Sequence, residues 1–244
     1  MQSVKTKFHS SQNLAMPHLD TGRHKIEYSI VRGESRLYIR LRFRPDMILE
    51  VALPRGKQVD VEQTIRSKLP WIDLEYTKAS NVKSILGPDK VMFAGSYLKI
   101  VHVQDTEESL VPSVNSGEVV VRASDRRRVR ELIRRWFLKE TSAYVVGKVR
   151  ESAATLGVRP SRVDVREIGK WGYCTRSGRL TFSWQLIALP ERLREYIILH
   201  ELVHLVEFNH SAAFRRELAS VCKDFRAREK ELNQVVPYDM LTLV

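Results

Sequence analysis

The stretch from Tyr196 to His210 constrains this chain more than any other. It reads Y-I-I-L-H-E-L-V-H-L-V-E-F-N-H and holds an H-E-x-x-H motif inside an apolar segment with helical spacing. On a helix, His200 and His204 stand at i and i+4, so both project from one face about one turn apart. Two imidazoles so placed suit one tetrahedral zinc shell, which needs a third protein ligand and leaves its fourth position to water. Glu201 sits beside the first ligand, where a carboxylate can take a proton from a water that zinc has acidified. His210 follows six residues after His204. Asn209, a residue type that tolerates the left-handed conformation, is expected to end the helix and swing His210 back toward the other two. The competing reading is a pair of core histidines satisfied by hydrogen bonds. The helical period, a helix start at Pro190 and the third histidine favour a metal site.

Composition narrows the setting. The chain has 244 residues, 43% of them hydrophobic, enough for one large domain or two small ones. Net charge is +12 and the sequence pI is near 9.8, which favours acidic partners, nucleic acid first. Two cysteines, Cys174 and Cys222, are too few for a disulfide framework and fit a reducing compartment. No apolar run approaches a membrane span, and the stretch Phe8 to Leu19 is too broken for a signal-peptide core. A cytoplasmic protein without membrane partners is expected.

Residues 1–22 are polar and aperiodic and read as a tail. From Lys25 the period becomes two. Leu37, Ile39, Leu41 and Phe43 alternate with Arg36, Tyr38, Arg40, Arg42 and Arg44, and Ile48 to Leu53 follows Pro45-Asp46 as a further strand. The pattern predicts an antiparallel sheet with one face buried. Its arginine face is either the solvated side of that sheet or a stripe tracking phosphates. Val59 to Ala79 has helical spacing, with Pro70 kinking it or opening a second helix and Trp71 expected in the core. Beyond Gly87-Pro88, Val91 to Val103 predicts a hairpin turning at Gly95-Ser96. Val119 to Val121 is a short strand, and His102 is read as an ordinary strand histidine.

A long amphipathic helix follows, with Ser124 the expected N-cap and Gly157 its end. Val129, Leu132, Ile133, Trp136, Phe137, Ala143 and Tyr144 form its apolar face. Arg126, Arg127, Arg128, Arg130, Arg134 and Arg135 crowd the other side, as a solvated face or, with the strand arginines, a nucleic-acid surface. Arg162 to Glu167 and Leu180 to Ile187 read as strands around a glycine-punctuated turn. The second of these, just before the metal helix, is a candidate edge for an extended peptide. Ser211 is expected to cap a last helix buried through Phe214, Leu218, Val221 and Phe225.

Trp171-Gly-Tyr-Cys-Thr, Gly178-Arg-Leu-Thr-Phe-Ser-Trp184-Gln-Leu-Ile, Leu189-Pro190, the H-E-L-V-H segment and Asn209-His-Ser-Ala-Ala-Phe214 occur in that order. Together they resemble the YgjP-like zinc metallopeptidases, a family related to the WLM and SprT-like groups. Phe93-Ala-Gly95-Ser-Tyr97 and the upstream strands resemble that family's N-terminal half. The resemblance implies one zinc ion held by His200, His204 and His210, Glu201 as catalytic base, and a protein or peptide substrate. The chain departs from the family pattern at Tyr173, Ser183 and Arg215, none of them a metal ligand, so the departures bear on the substrate cleft. Trp171, Tyr173 and Trp184 are the candidate substrate-binding residues, with Tyr173 and Arg215 near enough in sequence to meet a developing oxyanion. Cys174 is read as structural, since a fourth protein ligand would close the site.

The expected fold class is α+β: an N-terminal antiparallel β-rich domain with helices at residues 23–123, then a zincin-like domain at residues 124–244 built on the HExxH helix. The expected activity is zinc-dependent peptide hydrolysis. Two alternatives stand beside it: a protease acting on nucleic-acid-bound or crosslinked proteins, and a non-catalytic zinc-stapled nucleic-acid-binding protein.

Overall fold

The computed structural model describes residues 17–33, 39–44, 47–54, 59–86 and 89–235. Arg36, the Pro45-Asp46 turn, the Gly87-Pro88 break and most of the expected tail lie outside them. The chain divides into two compact units, Met1–Leu74 and Glu75–Val244.

The first unit holds β1 (His18–Asp20), β2 (Lys25–Gly33), β3 (Arg40–Phe43) and β4 (Leu49–Pro54) in the order β1-β2-β4-β3. The expected all-antiparallel sheet is corrected here. β2 runs parallel to β4, while β1–β2 and β3–β4 are antiparallel. Alternation reports which face is buried, and it is identical for both strand directions. β4 is buried at every residue, as befits a strand paired on both sides. Glu50, on β4, accepts from both Nε and Nη2 of Arg42 at 2.8 and 3.0 Å, so that arginine is committed within the sheet. α1 (Val61–Ser67) ends at Lys68, and α2 (Leu69–Leu86) carries Pro70 in its first turn, where a missing N–H costs nothing. Ile65 and Ile72 are buried. Trp71, one residue off that stripe, is 41% exposed, so it is not the core anchor expected from its size.

In the second unit, β5 (Lys90–Phe93), β6 (Ser96–Gln104), β7 (Ser109–Ser113) and β8 (Glu118–Ala123) form a sheet ordered β5-β6-β8-β7, again with one parallel pair, β6–β8. The hairpin turns through Ala94 and Gly95, both at positive φ. α3 (Arg126–Leu156) is capped by Asp125, not Ser124: the Asp125 carboxylate accepts from the Arg128 N–H. Gly157 closes α3 in the left-handed conformation. Its buried stripe, Val129, Leu132, Ile133, Trp136 and Phe137, meets the sheet; Phe93 stacks on Trp136 with ring centroids 4.5 Å apart. Ala143, expected on that stripe, is exposed, and Thr141, Val145 and Val149 continue it instead. The sequence boundary at 123/124 falls between β8 and α3, two elements that share one core.

After α3 come β9 (Arg162–Arg166), β10 (Gly172–Cys174) and β11 (Arg179–Ser183), ordered β10-β11-β9. Residues expected to continue β11 form a 3-10 helix, Trp184–Ala188, because the Ser183 hydroxyl caps the Gln185 N–H. α4 (Glu191–Val203) follows, then α5 (Ala212–Val221) and α6 (Phe225–Leu232). The single last helix expected from the sequence is therefore two, broken at Cys222.

Candidate metal centre

α4 ends at the motif. Its last turn carries His200 and Glu201, and His204 is the C-cap, in right-handed helical conformation. The chain then winds through tight turns, with the Leu205, Val206 and Glu207 N–H groups donating back to Leu202 and Val203 carbonyls. Asn209 is not left-handed; among the described residues only Met47 and Ala94 combine positive φ with a side chain. Instead the Ser211 N–H donates to the Asn209 carbonyl at 2.7 Å, and the Ser211 hydroxyl caps α5 through the Ala213 and Phe214 N–H groups. That short link brings His210 back beside α4.

The three imidazoles converge. Their ligand atoms lie within 4.8 Å of one another, and the Nε2 atoms of His200 and His210 are 2.9 Å apart. Two nitrogens sharing one tetrahedral zinc are roughly 3.3 Å apart, so the spacing fits. His204 Nδ1 lies 3.2 Å from the Glu207 carbonyl, which orients that ring. Phe214 packs against all three rings, at 5.0, 4.6 and 4.8 Å from His200, His204 and His210, and forms a hydrophobic floor beneath them. Burial, reinforced by the other two rings, pushes His200 down to about 3; burial also lowers His204. Both are therefore neutral near pH 7, the form that ligates a metal. Three converging nitrogens, two of them held neutral, are a donor set that zinc suits.

Glu201 is 7% exposed. Burial pushes its carboxyl up to about 7, against the opposing pull of the Lys170 ammonium and a hydrogen bond from the Cys174 backbone N–H. β10 creates this pocket. A Cβ on Gly172 would lie 3.0 Å from Glu201 Cγ and 3.2 Å from its Oε1, with Phe182 Cδ1 at 3.1 Å on another side. Gly172 is thus the residue that lets the strand approach Glu201, a role the sequence reading missed. Its place in the Trp171-Gly-Tyr motif was the available signal. Gly95 is a second such case: the Ala94 and Gly95 N–H groups donate to the Ile187 and Ala188 carbonyls at 2.9 and 2.8 Å. A Cβ on Gly95 would lie 2.9 Å from Pro190 Cγ. The hairpin tip therefore clamps the entry to α4.

The candidate cleft residues separate. Tyr173 is 37% exposed on β10, and Trp171 is half-buried against the core. Trp184 is core: it is 7% exposed and meets Phe137 edge-on at 6.1 Å, with its carbonyl accepting from Thr141 Oγ1 at 2.6 Å. Arg215 is exposed on α5. β11, the strand expected to offer an edge to a peptide, is central in its sheet; β10 and β9 are the edges. Cys174 lies outside the histidine cluster, and burial together with the Glu201 charge pushes its thiol up to about 11, so it carries no thiolate near neutrality.

Of the basic surface, Arg126 pairs with Asp89, Arg128 and Arg135 with Glu108, and Arg134 with Glu167. No described helix is long and apolar enough to cross a membrane.

A model of the YgjP-like metallopeptidase domain matches residues 37–235. Two solved structures are similar. The metallopeptidase zymogen abylysin of Pyrococcus abyssi is 24% identical, with 36% of this chain and 90% of that chain covered and a TM-score of 0.33. The zymogen jannalysin of Methanocaldococcus jannaschii is 22% identical, with 37% and 94% covered and a TM-score of 0.33. No curated protein matches.

Proposed function

The chain belongs to the YgjP-like metallopeptidase family, and on that premise we propose that it hydrolyses peptide bonds with one zinc ion held by His200, His204 and His210. The observation that carries the reading is the convergence of three imidazole nitrogens within 4.8 Å of one another, with the carboxyl of the next residue after His200, Glu201, buried at 7% exposure. When bound, zinc supplies Lewis acidity, acidifying the attacking water and polarising the scissile carbonyl. Glu201 takes the proton of that water on a carboxylate oxygen and passes it to the leaving amine. Burial under β10 raises its proton affinity, which suits a carboxylate that takes a proton and then gives it up. Phe214 and Gly172 are positioning residues: one backs the imidazoles and the other admits the carboxylate. An extended substrate lies along β10, the edge nearest Glu201, by strand addition.

The alternative of a protease recruited to nucleic acid draws on the basic faces. Phosphates would there compete with Asp89, Glu108 and Glu167, which already hold four of the α3 arginines. Among the described residues, Arg127 and Arg130 on α3 are what still favours it. The purely structural-zinc alternative leaves the buried, perturbed Glu201 without a role.

The test compares wild type with Glu201→Gln on unstructured protein substrates. Both are expected to bind one zinc, and only wild type to cleave. Equal cleavage by the variant would refute the assignment of Glu201.

A further inference from the structure

A groove of about 760 Å³ opens beside His204. Its walls come from three places: the β10–β11 turn, the residues that follow α4, and the start of the α3–β9 connection. Leu205, Val206 and Phe208 give it an apolar wall, and Val206 and Phe208 are 53% and 41% exposed. Arg159 and Arg176 also line it, and no carboxylate does; Glu207, between Val206 and Phe208 in sequence, is not among its lining residues. The Arg176 guanidinium sits over the Phe208 ring, 5.4 Å from its centroid, so it is held in place by an aromatic face, not by an acid. Arg159 likewise has no ion-pair partner among the described residues, in contrast to the α3 arginines.

We infer that this groove is a specificity pocket that binds a carboxylate of the substrate, with Arg176 and Arg159 as its anion-recognising residues and the Val206–Phe208 wall covering the neighbouring apolar side chain. The inference deepens the peptidase reading and rests on it for the identity of the ligand as a peptide. Two guanidiniums without a counter-charge, beside a low-dielectric wall, focus a positive potential where the groove meets the metal cluster. A guanidinium presents paired N–H donors that match a carboxylate, and stacking on Phe208 reduces the ordering needed on binding. A lysine or arginine side chain would meet like charge in the same space. The carboxylate has two possible sources, an Asp or Glu side chain or the substrate's free C-terminus, and these separate experimentally.

The probes are amino-terminally labelled octapeptides on an alanine–leucine frame, with a single Glu moved along the frame, and their Gln counterparts. Each is made with a free and an amidated C-terminus. Binding is measured by fluorescence anisotropy to the zinc-loaded Glu201→Gln protein, alone and combined with Arg176→Gln, Arg176→Glu or Arg159→Glu. Cleavage of the same peptides by wild type is followed in parallel. One Glu position is expected to bind roughly tenfold or more tighter than Gln, as suits a charge-assisted pair. Arg176→Gln is expected to abolish that preference and Arg176→Glu to reverse it. A preference that follows the free C-terminus instead, and is lost in the same variants, supports the pocket and assigns it to the terminal carboxylate. Equal affinity across all four peptide types, or a preference that survives both charge reversals, overturns the pocket. Both arginines are exposed, so the replacements leave the core intact. Carboxylate-selective binding without cleavage by wild type would sink the peptidase reading and leave the pocket standing. Cleavage with no selectivity would sink the pocket alone.

Discussion

Replacing Glu201 by Gln is expected to stabilise the metal-free protein, and to do so only above a definite pH. The unfolded carboxyl titrates at 4.5 and the folded one at about 7, because burial opposes its charge. A carboxyl with a raised folded-state value binds its proton more tightly in the fold, so stability falls as pH rises between the two values. At roughly 1.4 kcal/mol per pH unit, the accumulated cost above pH 7 is about 3 kcal/mol. Gln has nearly the same shape and no charge to bury, so it escapes that cost. The stability difference between variant and wild type should be flat below pH 4.5, widen through pH 7 and level off above it. Urea unfolding of chelator-treated protein at half-unit steps from pH 4 to 8 measures this. Tryptophan fluorescence follows the relevant unit, since Trp136, Trp171 and Trp184 all lie within Glu75–Val244. A difference independent of pH, or a variant less stable than wild type at pH 8, would refute the claim that Glu201 is held in a desolvated pocket.

Three further outcomes follow from close contacts. Gly172→Ala forces a methyl against Glu201 and Phe182; cleavage should fall about 10- to 100-fold with zinc content unchanged, and near-normal turnover would contradict the positioning role. Gly95→Val combines a φ of +83° with a clash against Pro190 and should cost about 2–4 kcal/mol in urea unfolding. Thr141→Val removes the hydroxyl that donates to the buried Trp184 carbonyl and should cost about 1 kcal/mol by the same measurement.

The site was legible where its causes are local. The i, i+4 spacing of His200 and His204, the Ser211 cap and the Gly157 stop all act within a turn or two of chain. Expectations went astray where partners are distant. Asn209 is a local exception: the sequence predicts a left-handed turn there, but α4 ends earlier, at His204, and the Ser211–Asn209 link makes the return. Trp184 reads as a candidate substrate-binding residue on a strand, yet α3 covers it from more than forty residues away. Trp71 shows the reverse: its size suggests a core anchor, and a one-residue offset from the Ile65–Ile72 stripe leaves it exposed.

By itself, then, the sequence determined the spacing of the candidate donors, the helix that carries the first of them, and the alternation of faces in the strands, because periodicity and capping are properties of neighbouring residues. Only the tertiary structure decided the parallel pairings β2–β4, β6–β8 and β9–β11, since alternation is blind to strand direction. It also placed β10 against Glu201, set Phe214 beneath the histidines and left Arg176 on Phe208, which itself faces His204. Desolvation and charge placement depend on which remote segments arrive next to a residue, and those are quantities no local spacing contains.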